Sequence, residues 1–152
     1  MKFALIQMNM LPGNPDENFE RAKALIREAA EGQPDVILLP ETWNVGFFPR
    51  ENLAGLSDEN ERRVVSGIGA LAGQLNVNIV AGSVSNLRGG RVYNTSVTFD
   101  RQGSVVNVYD KTHLFSPMGE HEYFTPGSKV ERFKLDSFSC GVIICYDIRF
   151  PE

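Results

Sequence analysis

The chain has 152 residues, 42% of them hydrophobic and 22% charged, which is enough for one domain with a hydrophobic core. A net charge of −4 and a pI near 5.2 argue against nucleic-acid binding, and scattered basic residues argue against binding to an anionic membrane. No apolar stretch approaches the ~20 residues that span a bilayer, and the N-terminal apolar run is too short for a signal peptide. Because two cysteines, Cys140 and Cys145, do not make a disulfide framework, the sequence predicts a cytoplasmic protein.

The N-terminal part predicts a strand, a helix and a second strand. Residues 2–9 are predicted to form a buried strand. A helix follows, with Asn14 as its N-cap and Gly32 at its C-terminal end. Its apolar residues recur at helical spacing: Phe19, Ala22, Leu25, Ile26 and Ala29. The next strand is predicted at residues 36–39, where Pro40 ends it.

A second helix is expected after a long irregular segment at residues 40–56. Ser57 is its predicted N-cap. The apolar stripe of this helix consists of Val64, Ile68, Leu71, Ala72 and Leu75. A further strand is predicted over residues 77–85.

Two turns organise the strands that follow. Residues 88–91, Arg-Gly-Gly-Arg, predict a β-hairpin because glycine adopts positive φ at both central positions. Residues 100–103 predict a slightly longer turn. The flanking segments 91–99 and 104–109 are rich in Val, Thr, Tyr and Phe, which favour strands.

The C-terminal part predicts an irregular segment at residues 110–128 and a last apolar strand at 141–145. Residues 146–152 resemble the beginning of a turn into a helix. We therefore expect that the chain is incomplete or that a second segment completes it. Alternating strands and helices followed by consecutive strands predict a mixed α/β fold with helices covering a sheet.

Three reactive residues each follow an apolar strand: Glu41, Lys111 and Cys145. Residues at strand ends of an open α/β sheet can meet in space. A thiol, whose ordinary pKa is about 8.5, needs a base such as a carboxylate to become a nucleophile. A lysine and a backbone N–H, here that of Tyr146, can stabilise an oxyanion. Each residue alone also has a purely structural explanation, as a buried thiol, a loop carboxylate or a surface cation.

Four segments resemble signature blocks of the nitrilase superfamily and occur in the family's order. They are residues 38–41, 91–96, 109–115 and 141–152. The resemblance implies that Glu41 is the general base, that Lys111 stabilises the oxyanion and that Cys145 is the nucleophile. It also implies that Glu120 is the second glutamate near the lysine, although Glu122 is only two residues away.

The same resemblance implies an αββα sandwich of the nitrilase type, incomplete in this chain. Residues 1–152 are then the N-terminal part of a single carbon-nitrogen hydrolase domain. The implied reaction is hydrolysis of a non-peptide C–N bond of a small amide through a thioester, with release of ammonia and without a cofactor. The blocks resemble the ω-amidase-like branch most, which favours dicarboxylate monoamides such as 2-oxoglutaramate. Nitriles and N-carbamoyl compounds remain alternatives, and the resemblance also implies a homo-oligomer.

Substrate-binding roles are predicted for three further residues: Trp43, Tyr146 and Arg149. Trp43, with Phe47 and Phe48, could instead belong to the core. Arg149 could bind a substrate carboxylate bidentately or form an ion pair with Asp147 that stiffens the turn.

Other classes of protein remain possible from the sequence. A papain-like hydrolase would need a catalytic histidine, for which His113 is the candidate, but His113 is expected to support the loop of Lys111. His113 and His121 lack the spacing of metal ligands, so no metal is expected. The chain could also be an inactive fragment or a subunit that only scaffolds an assembly.

Overall fold

The computed structural model describes residues 1–47 and 49–151. Within these residues a seven-stranded mixed sheet is formed by β1 (Phe3–Leu5), β2 (Val36–Leu38), β3 (Asp58–Glu59), β4 (Asn78–Val80), β5 (Val84–Arg88), β6 (Arg91–Phe99) and β7 (Val105–Asp110). A separate hairpin consists of β8 (Phe133–Leu135) and β9 (Phe138–Cys140). The α-helices are α1 (Pro15–Glu31), α2 (Leu53–Leu56) and α3 (Ala70–Leu75), and π-helical turns at Val64–Gly69 lead into α3. Short 3-10 helices lie at Ser116–Met118, Glu120–Glu122 and Cys145–Arg149.

The strand order in the large sheet is β1-β2-β4-β6-β5-β3, and β7 also pairs with β6. Strands β1, β2 and β4 run parallel, whereas β6 is antiparallel to each of its three neighbours. The ends of β2 and β7 therefore come close enough to bring distant residues together.

Helix α1 forms as the sequence predicts. The side chain of Asn14 accepts a hydrogen bond from Glu17 N, Pro15 begins the helix, and Gly32 follows its last residue. Its apolar face is buried against the sheet, where Ile26 belongs to the same hydrophobic cluster as Ile37. The predicted helix is confirmed.

The second predicted helix begins differently. Ser57 does not cap it. Ser57 instead follows the last residue of α2, and its hydroxyl donates to the O of Leu53, the first residue of α2. The carboxylate of Asp58 instead accepts hydrogen bonds from the backbone N–H groups of Arg63 and Val64. A carboxylate has two acceptor oxygens and a charge that favours the positive end of a helix, so it is the better cap here.

The predicted strand at 77–85 is two strands, β4 and β5, separated by a break at Gly82. Gly82 has φ +53°, and a Cβ there would overlap the carbonyl oxygens of Leu39 and Pro40. Position 82 therefore requires glycine, because its backbone packs directly against the backbone of Leu39 and Pro40, the two residues before Glu41. The two predicted turns are confirmed, with Arg88 paired to Arg91 across the first.

Two strand predictions are wrong at the ends of the chain. In β1, Phe3 and Leu5 are 56% and 73% exposed, so this strand is not buried. Residues 141–144 do not form the predicted last strand, because they pair with no strand of the described residues and β9 ends at Cys140. An apolar run becomes a strand only where a partner strand pairs with it.

The large sheet is covered on both faces. Ile37 of β2 packs into the cluster that holds the helices, whereas its neighbours Val36 and Leu38 point to the other face. There they contact Phe133 and Leu135 of the β8–β9 hairpin. Helices, a sheet and a second sheet thus form successive layers of the predicted mixed α/β sandwich. No helix among the described residues has the length and apolar character that crossing a membrane requires.

Candidate active site

Glu41 follows β2 and is fixed by the residues directly after it. Thr42 has φ 44°, and its backbone N–H donates to Ser83 Oγ at 3.0 Å. Trp43 is fully buried, its indole N–H donates to Ala81 O at 2.8 Å, and its ring lies edge-on to Phe19. The core therefore anchors the loop that carries Glu41.

Lys111 follows β7 and lies 2% exposed at the centre of the site. Its Nζ is 2.9 Å from Glu41 Oε1, 3.0 Å from Glu120 Oε1 and 2.9 Å from Glu120 Oε2. Burial opposes the charge of the ammonium, but the hydrogen bonds with the two glutamates outweigh burial and raise the pKa of Lys111. The two glutamates thus favour the charged form of Lys111 and hold its ammonium in one place.

Glu120, rather than Glu122, is the second glutamate at this lysine. Glu120 is 1% exposed, and its Oε2 also accepts a hydrogen bond from Phe115 N at 2.6 Å. Glu122 is exposed at the other end of the same 3-10 helix. The structure therefore separates the two glutamates that the sequence leaves close together.

Asn94 is a site residue that the sequence prediction missed. Its Nδ2 donates to Glu41 Oε1 at 2.9 Å and to Glu120 Oε1 at 3.2 Å. Asn94 lies on β6 with Ser96 and Thr98, three buried polar residues at a spacing of two. Such a polar row on one face of a buried strand was the available signal.

Cys145 stands at a sharp turn. Ile144 is extended, Cys145 has φ 47°, and a 3-10 helix begins at Cys145. Partial burial of the thiol, the negative charge of Glu41 and a hydrogen bond to Glu41 raise the pKa of Cys145, and the positive charge of Lys111 opposes them. The thiol therefore lies beside a carboxylate that can accept its proton.

A cavity of about 200 Å³ opens beside these residues. Glu41 and Cys145 line it together with Ser83 and Ser96, and the rest of its wall is mainly apolar. The cavity is large enough for a small organic group next to the thiol. Among the described residues, no group of three His, Cys, Asp or Glu side chains could hold a metal ion.

This arrangement agrees with the comparison to known proteins. A family model described as carbon-nitrogen hydrolase matches residues 2–152. The chain belongs to the carbon-nitrogen hydrolase family.

Named relatives of this hydrolase family cover almost all of the chain. It is 40% identical over 147 residues to the 2-oxoglutaramate amidase of Bacillus subtilis (strain 168), covering 97% of this chain and 56% of that protein. It is 30% identical over 166 residues to omega-amidase NIT3 of Saccharomyces cerevisiae, with 100% and 57% covered. The solved structure of XC1258 from Xanthomonas campestris, a CN-hydrolase superfamily protein, matches with a TM-score of 0.88 at 28% identity, covering 99% of this chain and 55% of that one. The chain thus spans just over half the length of these relatives.

The predicted substrate-binding residues of this family member occupy different environments. Trp43 is part of the core and does not line the cavity, which corrects the prediction that it contacts the substrate. Tyr146 is half-buried, with its ring edge-on to Phe115 and Phe150. Arg149 is exposed, as is Phe47, and the prediction for Phe48 lies outside the described residues.

The predicted ion pair between Asp147 and Arg149 is wrong. Asp147 turns towards the lysine loop, where it accepts hydrogen bonds from Tyr109, Thr112 and His113. His113 also stacks on Phe150 with 3.8 Å between ring centroids. This position agrees with the expected supporting role of His113.

Proposed function

We propose that the protein containing this chain hydrolyses the C–N bond of a small amide through a thioester on Cys145 and releases ammonia. The observation that carries the proposal is the contact of one buried ammonium, that of Lys111, with both Glu41 and Glu120 beside a thiol at a strained turn. A base, a fixed positive charge and a nucleophile are what amide hydrolysis by a cysteine needs. The chain supplies the N-terminal part of the hydrolase domain.

In the first half of the reaction, Glu41 takes the proton of Cys145 and the sulfur attacks the carbonyl carbon. The carbonyl oxygen becomes an oxyanion, which the Lys111 ammonium and the N–H of Tyr146 stabilise. That N–H lies in the first turn of a 3-10 helix, where the helix itself offers no acceptor. Glu41 then gives the proton to the departing nitrogen, so that ammonia leaves and a thioester remains.

In the second half, Glu41 takes a proton from water as the water oxygen attacks the thioester. Lys111 stabilises the second oxyanion, the C–S bond breaks and the sulfur recovers its proton from Glu41. Glu120 and Asn94 hold Lys111 and Glu41 in position throughout. The product is the carboxylic acid, and the enzyme returns to its starting state.

The substrate that we propose is a small dicarboxylate monoamide such as 2-oxoglutaramate. Two named relatives support this choice, and the exposed guanidinium of Arg149 on the nucleophile turn is suited to bind the distal carboxylate. We further propose that the full protein is a cytoplasmic homo-oligomer. Nitriles and N-carbamoyl compounds are the competing substrates.

The test measures ammonia release by the full-length protein from 2-oxoglutaramate, a simple nitrile and an N-carbamoyl amino acid. We expect release from the monoamide, loss of release in Cys145→Ala, and little change in the matched control Cys140→Ala. Mass spectrometry during turnover should find the acyl group on Cys145. If Cys145→Ala releases ammonia as fast as the wild-type protein, the proposed mechanism is wrong. If the wild-type protein releases no ammonia from any of the three substrates, the result favours a scaffolding subunit.

A papain-like mechanism makes the opposite prediction for two variants. If His113 were the base, His113→Ala would abolish ammonia release and Glu41→Gln would retain it. We expect Glu41→Gln to lose about 100-fold or more in kcat, as is typical for removal of a general base. His113→Ala should retain measurable turnover.

A further inference from the structure

Asp147 is a buried carboxylate to which the mechanism assigns no step. It is 4% exposed and lies two residues after Cys145. Both of its oxygens are occupied: Oδ2 accepts from Ile144 N at 2.9 Å and Tyr109 OH at 2.7 Å, and Oδ1 accepts from His113 N at 2.8 Å. Thr112 Oγ1 is a further donor to Oδ1, at 3.1 Å.

These donors come from two separate parts of the chain. Ile144 immediately precedes Cys145, so its hydrogen bond to Asp147 closes a loop around the nucleophile. Tyr109, Thr112 and His113 lie on either side of Lys111, at the end of β7 and in the loop that follows. One carboxylate therefore ties the backbone of the nucleophile to the backbone of the lysine.

The backbone of Cys145 needs such support. A residue with a Cβ at φ 47° lies in the left-handed region, which is strained relative to the right-handed region. The strain persists only where neighbouring contacts impose it. Among the described hydrogen bonds, two span this turn: Asp147 N–H donates to Ile144 O at 3.1 Å, and Ile144 N–H donates to Asp147 Oδ2 at 2.9 Å. Of these two, the second depends on the carboxylate.

We infer that Asp147 is a positioning residue, which holds Cys145 in its left-handed turn and keeps this turn in register with Lys111. The inference rests on the proposed function for its consequence in turnover. The geometry that it assigns is independent of any substrate. Asp147 is not among the residues that line the cavity, so it acts through Cys145.

The decisive measurement is a double-mutant cycle on the reactivity of the thiol. The rate of alkylation of Cys145 by chloroacetamide is measured as a function of pH, which gives the pH midpoint of the reaction. All variants also carry Cys140→Ser, so that Cys145 is the one cysteine that reacts. In that background Glu41→Gln should lower the midpoint, because Glu41 contributes to the raised pKa of Cys145. With Asp147→Asn also present, Glu41→Gln should leave the midpoint unchanged, because the released thiol no longer contacts Glu41.

Turnover gives the second readout. We expect Asp147→Asn to lower kcat by about 100-fold while KM stays nearly constant, as a displacement of the nucleophile would cause. Asp136→Asn is the matched control. It is the same change at a carboxylate that Arg101 and Asn78 hold far from the site. It should keep both the kcat and the response to Glu41→Gln.

An unchanged response to Glu41→Gln in folded Asp147→Asn would overturn the inference, whatever its thermal stability. If Asp147→Asn does not fold, Tyr109→Phe replaces it in the test, because this change removes one donor to Asp147. Tyr109→Phe should weaken the shift in the alkylation midpoint that Glu41→Gln causes. A shift of full size would overturn the inference. If the wild-type protein hydrolyses no amide, the proposed function fails. The alkylation cycle still tests the placement of Cys145.

Discussion

Lys111 Nζ lies 2.9 Å from Glu41 Oε1, although 70 residues separate the two in the sequence. Parallel pairing of β2 with β4, and pairing of β4 and β7 with β6, bring the ends of β2 and β7 together. The contact joins a charge that is 2% exposed to a carboxylate that is 20% exposed. The sheet topology therefore creates the electrostatic centre of the site, and several consequences of that centre can be measured.

The reactivity of Cys145 should respond in opposite directions to its two charged neighbours. Glu41 raises the pKa of the thiol and Lys111 lowers it. Glu41→Gln should therefore shift the pH midpoint of alkylation down, and Lys111→Met should shift it up. Shifts of the same sign in both variants would contradict the described geometry. Glu59→Gln, an exposed carboxylate on β3, is the control and should leave the midpoint unchanged.

Removal of the lysine charge should destabilise the fold. Lys111→Met leaves Glu41 and Glu120 facing each other without a cation, and breaking a buried ion pair in this way costs about 3–5 kcal/mol. The double variant Lys111→Met/Glu120→Gln should recover part of this loss, because the fully buried carboxylate is then neutral. Urea unfolding measures both values. A double variant less stable than Lys111→Met would contradict the argument.

The matched control for that loss is Lys134→Met. Lys134 is an exposed lysine of β8, so its substitution should change the free energy of unfolding by less than about 0.5 kcal/mol. Equal losses in Lys111→Met and Lys134→Met would show that the two glutamates do not depend on the lysine.

Asn94 should matter for both stability and turnover. Asn94→Leu removes the donor shared by Glu41 and Glu120 and should cost about 2 kcal/mol in the free energy of unfolding. It should also lower kcat by about tenfold, because the base is then less well placed. Asn94→Asp should be worse, since it adds a third carboxylate in place of that donor.

Asn78→Leu separates the two effects of Asn94. Asn78 is equally buried and donates to Asp35 O and Asp136, but it lies outside the site. We expect a similar loss of stability with no loss of kcat. An equal decrease in kcat for Asn78→Leu and Asn94→Leu would show that the effect on turnover is general destabilisation.

Two glycines with positive φ should respond differently to alanine. At Gly82 a Cβ would overlap the carbonyl oxygens of Leu39 and Pro40, directly before Glu41. Gly82→Ala should therefore cost about 3 kcal/mol or more and also lower activity. At Gly89, in the hairpin turn, a Cβ has no neighbour within 4 Å, so Gly89→Ala should cost only about 1 kcal/mol. Thermal unfolding and ammonia release distinguish the two.

The sequence predicted those elements whose signals are local. The cap at Asn14 and the glycines at 89 and 90 act within a few residues, and the structure contains the helix and hairpin that they predict. The predicted strand was wrong at residues 141–144, because a strand needs a partner strand, and the apolar pattern of one segment does not show whether a partner is present. The predicted cap at Ser57 was wrong because the adjacent Asp58 is the stronger acceptor.

The candidate site was predictable to a similar extent. The family resemblance indicated Glu41, Lys111, Glu120 and Cys145, and the structure brings these four residues together. Asn94 was missed, because the polar row of Asn94, Ser96 and Thr98 indicates a polar face of the strand but not that this face meets Glu41 and Glu120. Trp43 was assigned to the substrate, because proximity to Glu41 in the sequence does not distinguish the wall of a cavity from the core behind it.

The position of Trp43 has a practical consequence for selection experiments. The indole lies two residues from Glu41, packs against Phe19 of α1 and donates to Ala81 O. A library selected only for turnover should therefore lose substitutions at Trp43 and Phe19 as well as those at the reacting groups. The residues that such a library identifies as essential would therefore include those that hold Glu41 in place as well as those that contact the substrate.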